Sequence, residues 1–167
     1  MEYILIMIRP ARPNDSAAIC SIYNYYVINT CASFEETEVS AAEMERRIRT
    51  ISAKYPYLVW EESGKIEAYI YANTWKERSA YRYSAETSIY VRNCHTGRGL
   101  GSKLMEALLA EVSTTSLHTL VAGIVLPNEG SIVFHEKFGF QKTACFREIG
   151  FKFNKWMDIG YWELILQ

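Results

Sequence analysis

Apolar positions recur along this chain with two different periods, and the two take turns. Residues 4–8 form a short apolar run stopped by Arg9, which predicts a first strand. Pro13-Asn14-Asp15 then starts a helix, with Asn14 or Asp15 as cap. Ala18, Ile19, Ile22, Tyr23 and Tyr26 line one face of it to about Val27. Residues 28–39 lack periodicity. Ser40-Ala41-Ala42-Glu43 is a capping box opening a second helix striped by Met44, Ile48 and Ile51, and Tyr55-Pro56 ends it. Residues 57–61 and 66–73 read as strands joined by a hairpin turn at Ser63-Gly64-Lys65, followed by a polar and aromatic loop over 75–82. Residues 83–91 alternate, with Tyr83, Ala85, Thr87, Ile89 and Val91 on one face of a strand. Leu100, Leu104, Met105, Leu108, Leu109 and Val112 recur at helical spacing. The largely apolar run 117–126 predicts a central strand buried on both faces. Pro127-Asn128-Glu129-Gly130-Ser131 opens a short helix to about Lys137, and strands follow from Gly139 to about Arg147 and over 157–166. With no repeat or linker, the order predicts one α/β domain over residues 1–167, built on a mixed sheet.

Composition narrows the functional classes. Of 167 residues, 49% are hydrophobic and 22% charged, enough apolar material for one substantial core. A net charge of -1 argues against bulk attraction to nucleic acid or an anionic membrane. The run at 4–8 is too short for a membrane span or a signal-peptide core. Cys20, Cys31, Cys94 and Cys145 are scattered, with no C-x-x-C pair and no histidine at ligand spacing. Neither a disulfide framework nor a metal site is expected, and the chain reads as cytoplasmic with free thiols. Cys94 is expected to be buried and inert; the alternative is a reactive thiol beside the glycine loop.

The distinctive stretch is His95-Thr96-Gly97-Arg98-Gly99-Leu100-Gly101, between the strand over 83–91 and the helix beginning at Leu100. Glycines permit positive φ and close backbone approach. The first amides of a helix have no intrahelical partner, and the helix dipole adds positive potential there. A phosphate or pyrophosphate suits such a junction. The nucleotide-binding pattern G-x-x-x-x-G-K-[ST] fails, because Lys103 comes one place late and Leu104 follows it. The dinucleotide pattern G-x-G-x-x-G fails because Ser102 stands at its third glycine.

The loop does resemble the acetyl-CoA loop of the GCN5-related N-acetyltransferase (GNAT) family, [RQ]-x-x-G-x-[GA], read here as Thr96-Gly97-Arg98-Gly99-Leu100-Gly101 with Thr96 at the usual Arg or Gln. The family's later pattern, N-x-x-[AS]-x-x-x-Y-x-[KR]-x-G-F, is matched by Asn128, Ser131, Lys137, Gly139 and Phe140, with His135 in the tyrosine slot. Ile22-Tyr23-Asn24, Ser33-Phe34-Glu35, Leu58-Val59, Trp75 through Tyr81, Glu86 with Ser88-Ile89-Tyr90-Val91, His135-Glu136, and Gly150-Phe151-Lys152-Phe153 with Trp156 and Asp158 resemble the phosphinothricin and methionine sulfoximine acetyltransferase group, across residues 8–166. Ala68 and Asn154 depart from that group's glycines.

The resemblance implies a GNAT fold: a central mixed, mostly antiparallel sheet with helices on both faces. It implies acetyl-CoA as co-substrate and a homodimer. The strand over 86–91 would splay from its neighbour and offer Ser88, Ile89, Tyr90 and Val91 to the pantetheine arm. Thr96, Gly97, Arg98, Gly99, Leu100, Gly101 and Ser102 would take the pyrophosphate. Asn128 and Ser131 would lie along the thioester side.

Acetyl transfer to an amine needs a base for the ammonium, donors for the carbonyl oxygen, and help for the departing thiolate. Glu86, mid-strand and opposite the Ala85 face, is the candidate base; the alternative is a solvent-facing glutamate or a partner for the substrate's ammonium. His135 is the candidate acid or proton relay; the alternative is a packed helix histidine. His95 and His118 read as ordinary surface or strand-edge histidines. Phe34, Trp75, Lys76, Arg78 and Tyr81, with Glu86 and Thr87, are candidates for the acceptor pocket, where a cation would hold a carboxylate or phosphinate; the alternative is a solvated loop with aromatics at the core edge. The leading expectation is acetylation of a small amino-acid-like amine such as phosphinothricin or methionine sulfoximine. The alternatives are another amine (polyamine, aminoglycoside or protein N-terminus) or a non-catalytic acetyl-CoA sensor.

Overall fold

The computed structural model describes residues 5–166. One seven-stranded sheet runs in the order β1-β2-β3-β4-β5-β7-β6. Its strands are β1 (Ile6–Pro10), β2 (Tyr57–Glu62), β3 (Lys65–Thr74), β4 (Ser84–Val91), β5 (Thr119–Leu126), β6 (Gln141–Lys152) and β7 (Lys155–Ile165). The helices are α1 (Ser16–Asn29), α2 (Ala41–Ser52), α3 (Leu100–Val112) and α4 (Glu129–Lys137). Every neighbouring pair is antiparallel except β4 and β5. That single parallel pair requires a crossover, which α3 supplies.

Alternation along the central strands divides the interior into two layers. On β3, Ala68, Ile70 and Ala72 face Leu104, Met105 and Leu108 of α3, and Ile132 and Phe134 of α4, with Phe138 just after it, pack against the same cluster. Tyr69 faces the other way, toward Ile19, Ile22, Val27, Met44 and Ile48 of α1 and α2. Helices therefore cover both faces, as expected. Small residues on the α3 side let the helix seat closely; large tyrosines fill the other layer.

Several boundaries differ from the periodic reading. The predicted start of β1 at Ile4 lies outside the described residues. The expected side-chain cap at Asp15 is absent. Its carboxylate instead accepts from the Arg12 amide and pairs with Arg9 at 2.7 Å, closing a 3-10 turn over Pro13–Asp15. Ser40 does cap α2, accepting from the Glu43 amide at 3.1 Å, but the Glu43 carboxylate turns to Arg46 and Arg47. Tyr83 precedes β4, and β5 starts at Thr119 rather than 117. The largest difference is the β6–β7 hairpin, which extends to a tight turn at Phe153 and Asn154, both with positive φ. A register irregularity between Phe146 and Gly150, with Glu148 at φ 51°, breaks the alternation that would have revealed it. Cys94 is exposed rather than buried. Among the described residues no helix is long and apolar enough to cross a membrane.

Seating α3 on the sheet depends on the fully buried Leu104. Leu104→Ala should lower the unfolding free energy by about 2–5 kcal/mol in denaturant titration; a loss under about 1 kcal/mol would mean that α3 is not packed as described.

Candidate functional site

β4 and β5 pair over only three positions, Ser84–Thr119, Ala85–Leu120 and Glu86–Val121. Beyond them the strands part. β4 stays paired with β3 out to Val91, and β5 with β7 out to Leu126. The inner edges of both strands therefore open onto a cavity of about 660 Å³, lined by Thr87 to Val91 on one side and Ala122 to Val125 on the other. The splay implied by the resemblance is thus a feature of the backbone. Edge amides and carbonyls need partners, and a ligand with peptide-like groups supplies them.

The glycine loop closes one end of this fork. After a 3-10 turn at Asn93–His95, Gly97 and Gly99 take φ of 79° and 85°, a left-handed conformation costly for other residues. Gly99 occupies the N-cap of α3 with no side-chain cap bond, so the amides of Leu100, Gly101 and Ser102 stay free for an anion. A Cβ on Gly101 would meet Ile89 Cδ1 and Phe134 Cε2 at 3.4 Å, so glycine lets α3 approach β4 and α4 closely. Thr96, Gly97, Gly99, Leu100, Gly101 and Ser102 all border the cavity. Arg98, expected among the loop residues, does not border the cavity, and Leu100 can offer it only main chain. The Leu100 side chain is buried in the core, and Arg98 turns away to Glu62 at 3.1 Å. Thr96 Oγ1 donates to Asn93 O and braces the turn. Lys137 Nζ donates to Ser102 Oγ at 3.2 Å, placing a cation beside the helix start.

Along β4 the side chains sort by face. Ile89 and Val91 pack toward α3, whereas Tyr90 joins the tyrosine layer beside Tyr23, Tyr26 and Tyr69. Tyr90 can therefore offer the cavity only its backbone. Thr87, buried, donates from Oγ1 to Val121 O where the strands separate.

Glu86 stands at the fork itself. A Cβ on Gly123 would lie 3.3 Å from Glu86 Oε1 and 3.3 Å from Tyr161 Cε1, so the missing side chain on β5 makes room for the carboxylate. Burial pushes the Glu86 carboxyl above the usual carboxylate range, against the pull of Lys76. Among the described residues it has no ion-pair or hydrogen-bond partner within contact distance. Trp75 packs edge-on against Tyr161 at 5.4 Å, and Lys76 lies over the Trp75 ring at 4.8 Å. Glu86, Tyr161, Trp75 and Lys76 thus form one group next to Gly123, which lines the cavity; none of the four is itself among the lining residues.

His135 borders the cavity from α4 and is 5% exposed, its ring set edge-on against Phe134 and Phe140. Nδ1 lies 2.8 Å from Ser131 O; a carbonyl can only accept, so Nδ1 carries the hydrogen and Nε2 the lone pair. Burial lowers the imidazole's proton affinity, opposed by that hydrogen bond. Asn128 caps α4 by accepting from the Ser131 amide, and both residues border the cavity.

Other expected site residues lie elsewhere. Arg78 and Tyr81 are exposed and do not border the cavity. Phe34 is also outside it; its ring rests against Gly150 of β6. Conversely, Tyr26, Ala32, Phe134 and His95 border the cavity without a local signal for it. Tyr26 donates its hydroxyl to Val91 O, and His95 Nδ1 lies 3.2 Å from the buried Glu67. No group of three or more His, Cys, Asp or Glu suited to a metal occurs among the described residues.

This geometry has close counterparts. A family model described as acetyltransferase (GNAT) domain matches residues 8–160. Phosphinothricin N-acetyltransferase of Streptomyces viridochromogenes is 34% identical over 95% of this chain and 86% of its own length. L-methionine sulfoximine/L-methionine sulfone acetyltransferase of Salmonella typhimurium is 37% identical over 95% of this chain and 94% of its own. A solved acetyltransferase from Salmonella typhimurium, determined with its cofactor acetyl-CoA, superposes with a TM-score of 0.94 at 35% identity, covering 98% of this chain and 95% of that one. A strand fork closed by a glycine loop, a family match across nearly the whole chain and relatives aligned over most of their own length agree: the chain belongs to the GNAT family of acetyltransferases.

Proposed function

We propose that this protein moves an acetyl group from acetyl-CoA to the primary amine of a small amino-acid-like acceptor, of the phosphinothricin or methionine sulfoximine class named in its relatives. The observation that carries the reading is Glu86, a carboxylate of raised pKa standing where β4 and β5 part.

The residues present fit acetyl-CoA. The amides of Leu100, Gly101 and Ser102, with Lys137 beside them, would hold its diphosphate. The open edges of β4 and β5 would bond its amide-bearing arm, and when bound it supplies an acetyl thioester. Glu86 takes the proton that frees the acceptor's lone pair; its raised pKa brings it closer to the working pH, where a base is most effective. His135, neutral with Nδ1–H held by Ser131 O, keeps Nε2 available to accept and pass on a proton. Trp75 and Tyr161 wall the acceptor beside Glu86, and Lys76 is the cation for its carboxylate or phosphinate. Juxtaposing the two substrates supplies much of the rate, up to about 7–11 kcal/mol.

The proposal includes a homodimer. The outer part of the β6–β7 hairpin exposes Phe146, Ile149, Phe151, Phe153 and Trp156, each between 49% and 61% accessible. An apolar patch of this kind favours coverage by a second copy. A cytoplasmic location belongs to the same reading, supported by four unpaired cysteines.

Glu86→Gln should lower kcat about 100-fold at neutral pH. The wild-type rate should fall as pH drops through the raised Glu86 pKa, and the variant should lose that limb. A carboxyl whose folded pKa exceeds its unfolded value favours the native state at low pH, and that advantage is lost as pH rises through the folded pKa. The Gln variant should therefore melt no lower than wild type at pH 8. An unchanged rate with an unchanged pH profile would remove Glu86 from the base role. Light scattering should give twice the 19.3 kDa chain mass, reduced to the single-chain mass by Phe151→Glu with Trp156→Glu; a wild-type monomer would contradict the dimer.

A further inference from the structure

Lys152 is a lysine in an unusual place. It is 2% exposed, near the tip of β6, yet none of its Nζ contacts is a carboxylate. Nζ donates to three carbonyls of one segment: Val27 O at 2.6 Å, Thr30 O at 2.9 Å and Ser33 O at 2.7 Å. An ammonium has three donors, and all three are used. Val27 is in the last turn of α1, whose final carbonyls lack intrahelical partners and whose dipole favours a cation. Two residues earlier, Gly150 forms a notch. A Cβ there would stand 2.2 Å from Phe34 Cε2, so only glycine lets that ring lie against β6. The hairpin thus grips the segment over residues 27–34 at both ends.

That segment has little of its own to hold it. Beyond α1 it is irregular, and its internal bonds are short-range: the Ala32 amide to Thr30 Oγ1, and the Glu35 amide to Ser33 Oγ. Tyr23 steadies it from α1 through Ser33 Oγ. Yet it walls the cavity through Ala32, next to Tyr26. Among the described residues, Lys152 makes no hydrogen bond to the glycine loop or α3, which would hold the diphosphate.

We propose that Lys152 is a positioning residue: it clamps residues 27–34 from the hairpin and so sets the cavity wall at Ala32, the wall that we assign to the acceptor. The acceptor half of this inference rests on the acetyl-transfer reading above. The clamp itself does not. Without the ammonium, three carbonyls lose their donor and the segment is free to relax.

Lys152→Met keeps an unbranched apolar stem one atom shorter and removes the ammonium. Hydrogen exchange at the Ala32 and Glu35 amides should speed up about tenfold or more. KM for the amine should rise about tenfold while KM for acetyl-CoA stays put. Unchanged exchange would overturn the clamp. Faster exchange with an unchanged amine KM, or with both KM values rising together, would overturn its link to the acceptor. Gly150→Ala, which keeps Lys152 but displaces Phe34, should shift the amine KM in the same direction, and it decides the matter if the methionine variant does not fold. Wild-type protein that turns over no amine would refute the acetyl-transfer reading, and the exchange measurement would still decide the clamp.

Discussion

The structure turns on a parallel pairing that stops after three residues. β4 and β5 are held together only from Ser84 to Glu86 and from Thr119 to Val121. Had the ladder continued, each strand would have satisfied the other and left no cavity. Because it stops, two inner edges face each other across open space, and their amides and carbonyls are left to pair with water or a bound ligand. The crossover imposed by parallel pairing brings α3 back over β3 and β4, so its N-terminus with Gly97 and Gly99 arrives at the mouth of that opening. A helix start with free amides and an open strand fork become neighbours by topology alone.

Side-chain alternation then assigns the chemistry. Ala85 and Ile89 belong to the α3 layer, while Tyr90 belongs to the tyrosine layer. Glu86 lies at the fork between them, admitted by Gly123 on the facing strand. Half-burial without a paired cation in contact raises its proton affinity, which suits a base and costs the native state stability at neutral pH. His135 is treated in the opposite sense: burial keeps it uncharged, and Ser131 fixes which nitrogen carries the proton.

What the sequence revealed was mostly local. Helix stripes, the Ser40 cap and the Gly97–Gly99 loop were legible because each depends on neighbours within a turn or two. Glu86 was legible as a carboxylate on the face opposite Ala85. Features assembled from distant segments were not. Tyr161 reaches Glu86 from the last strand, and Lys152 reaches the end of α1 from the hairpin; neither leaves a periodic trace. Asp15 occupies the N-cap of α1 as expected, but its carboxylate goes to Arg9, on another element, and to the Arg12 amide, so it makes no side-chain cap bond. Phe34 was placed in the pocket by its position in a motif, but Gly150 offers it a better seat. Trp75, Lys76, Arg78 and Tyr81 share a loop, and none of them lines the cavity; Trp75 packs on Tyr161 and Lys76 acts on Glu86, while Arg78 and Tyr81, at the 3-10 turn over Ser79–Tyr81, stay exposed.

A crystal structure with acetyl-CoA tests the central claim most directly. The account requires the diphosphate within hydrogen-bonding distance of the Leu100, Gly101 and Ser102 amides, the arm between β4 and β5, and the thioester facing Glu86. A second hollow, lined by Arg9, Lys65 and Arg92, offers cations of its own. A diphosphate seated there, with the fork between β4 and β5 left open, would contradict the account.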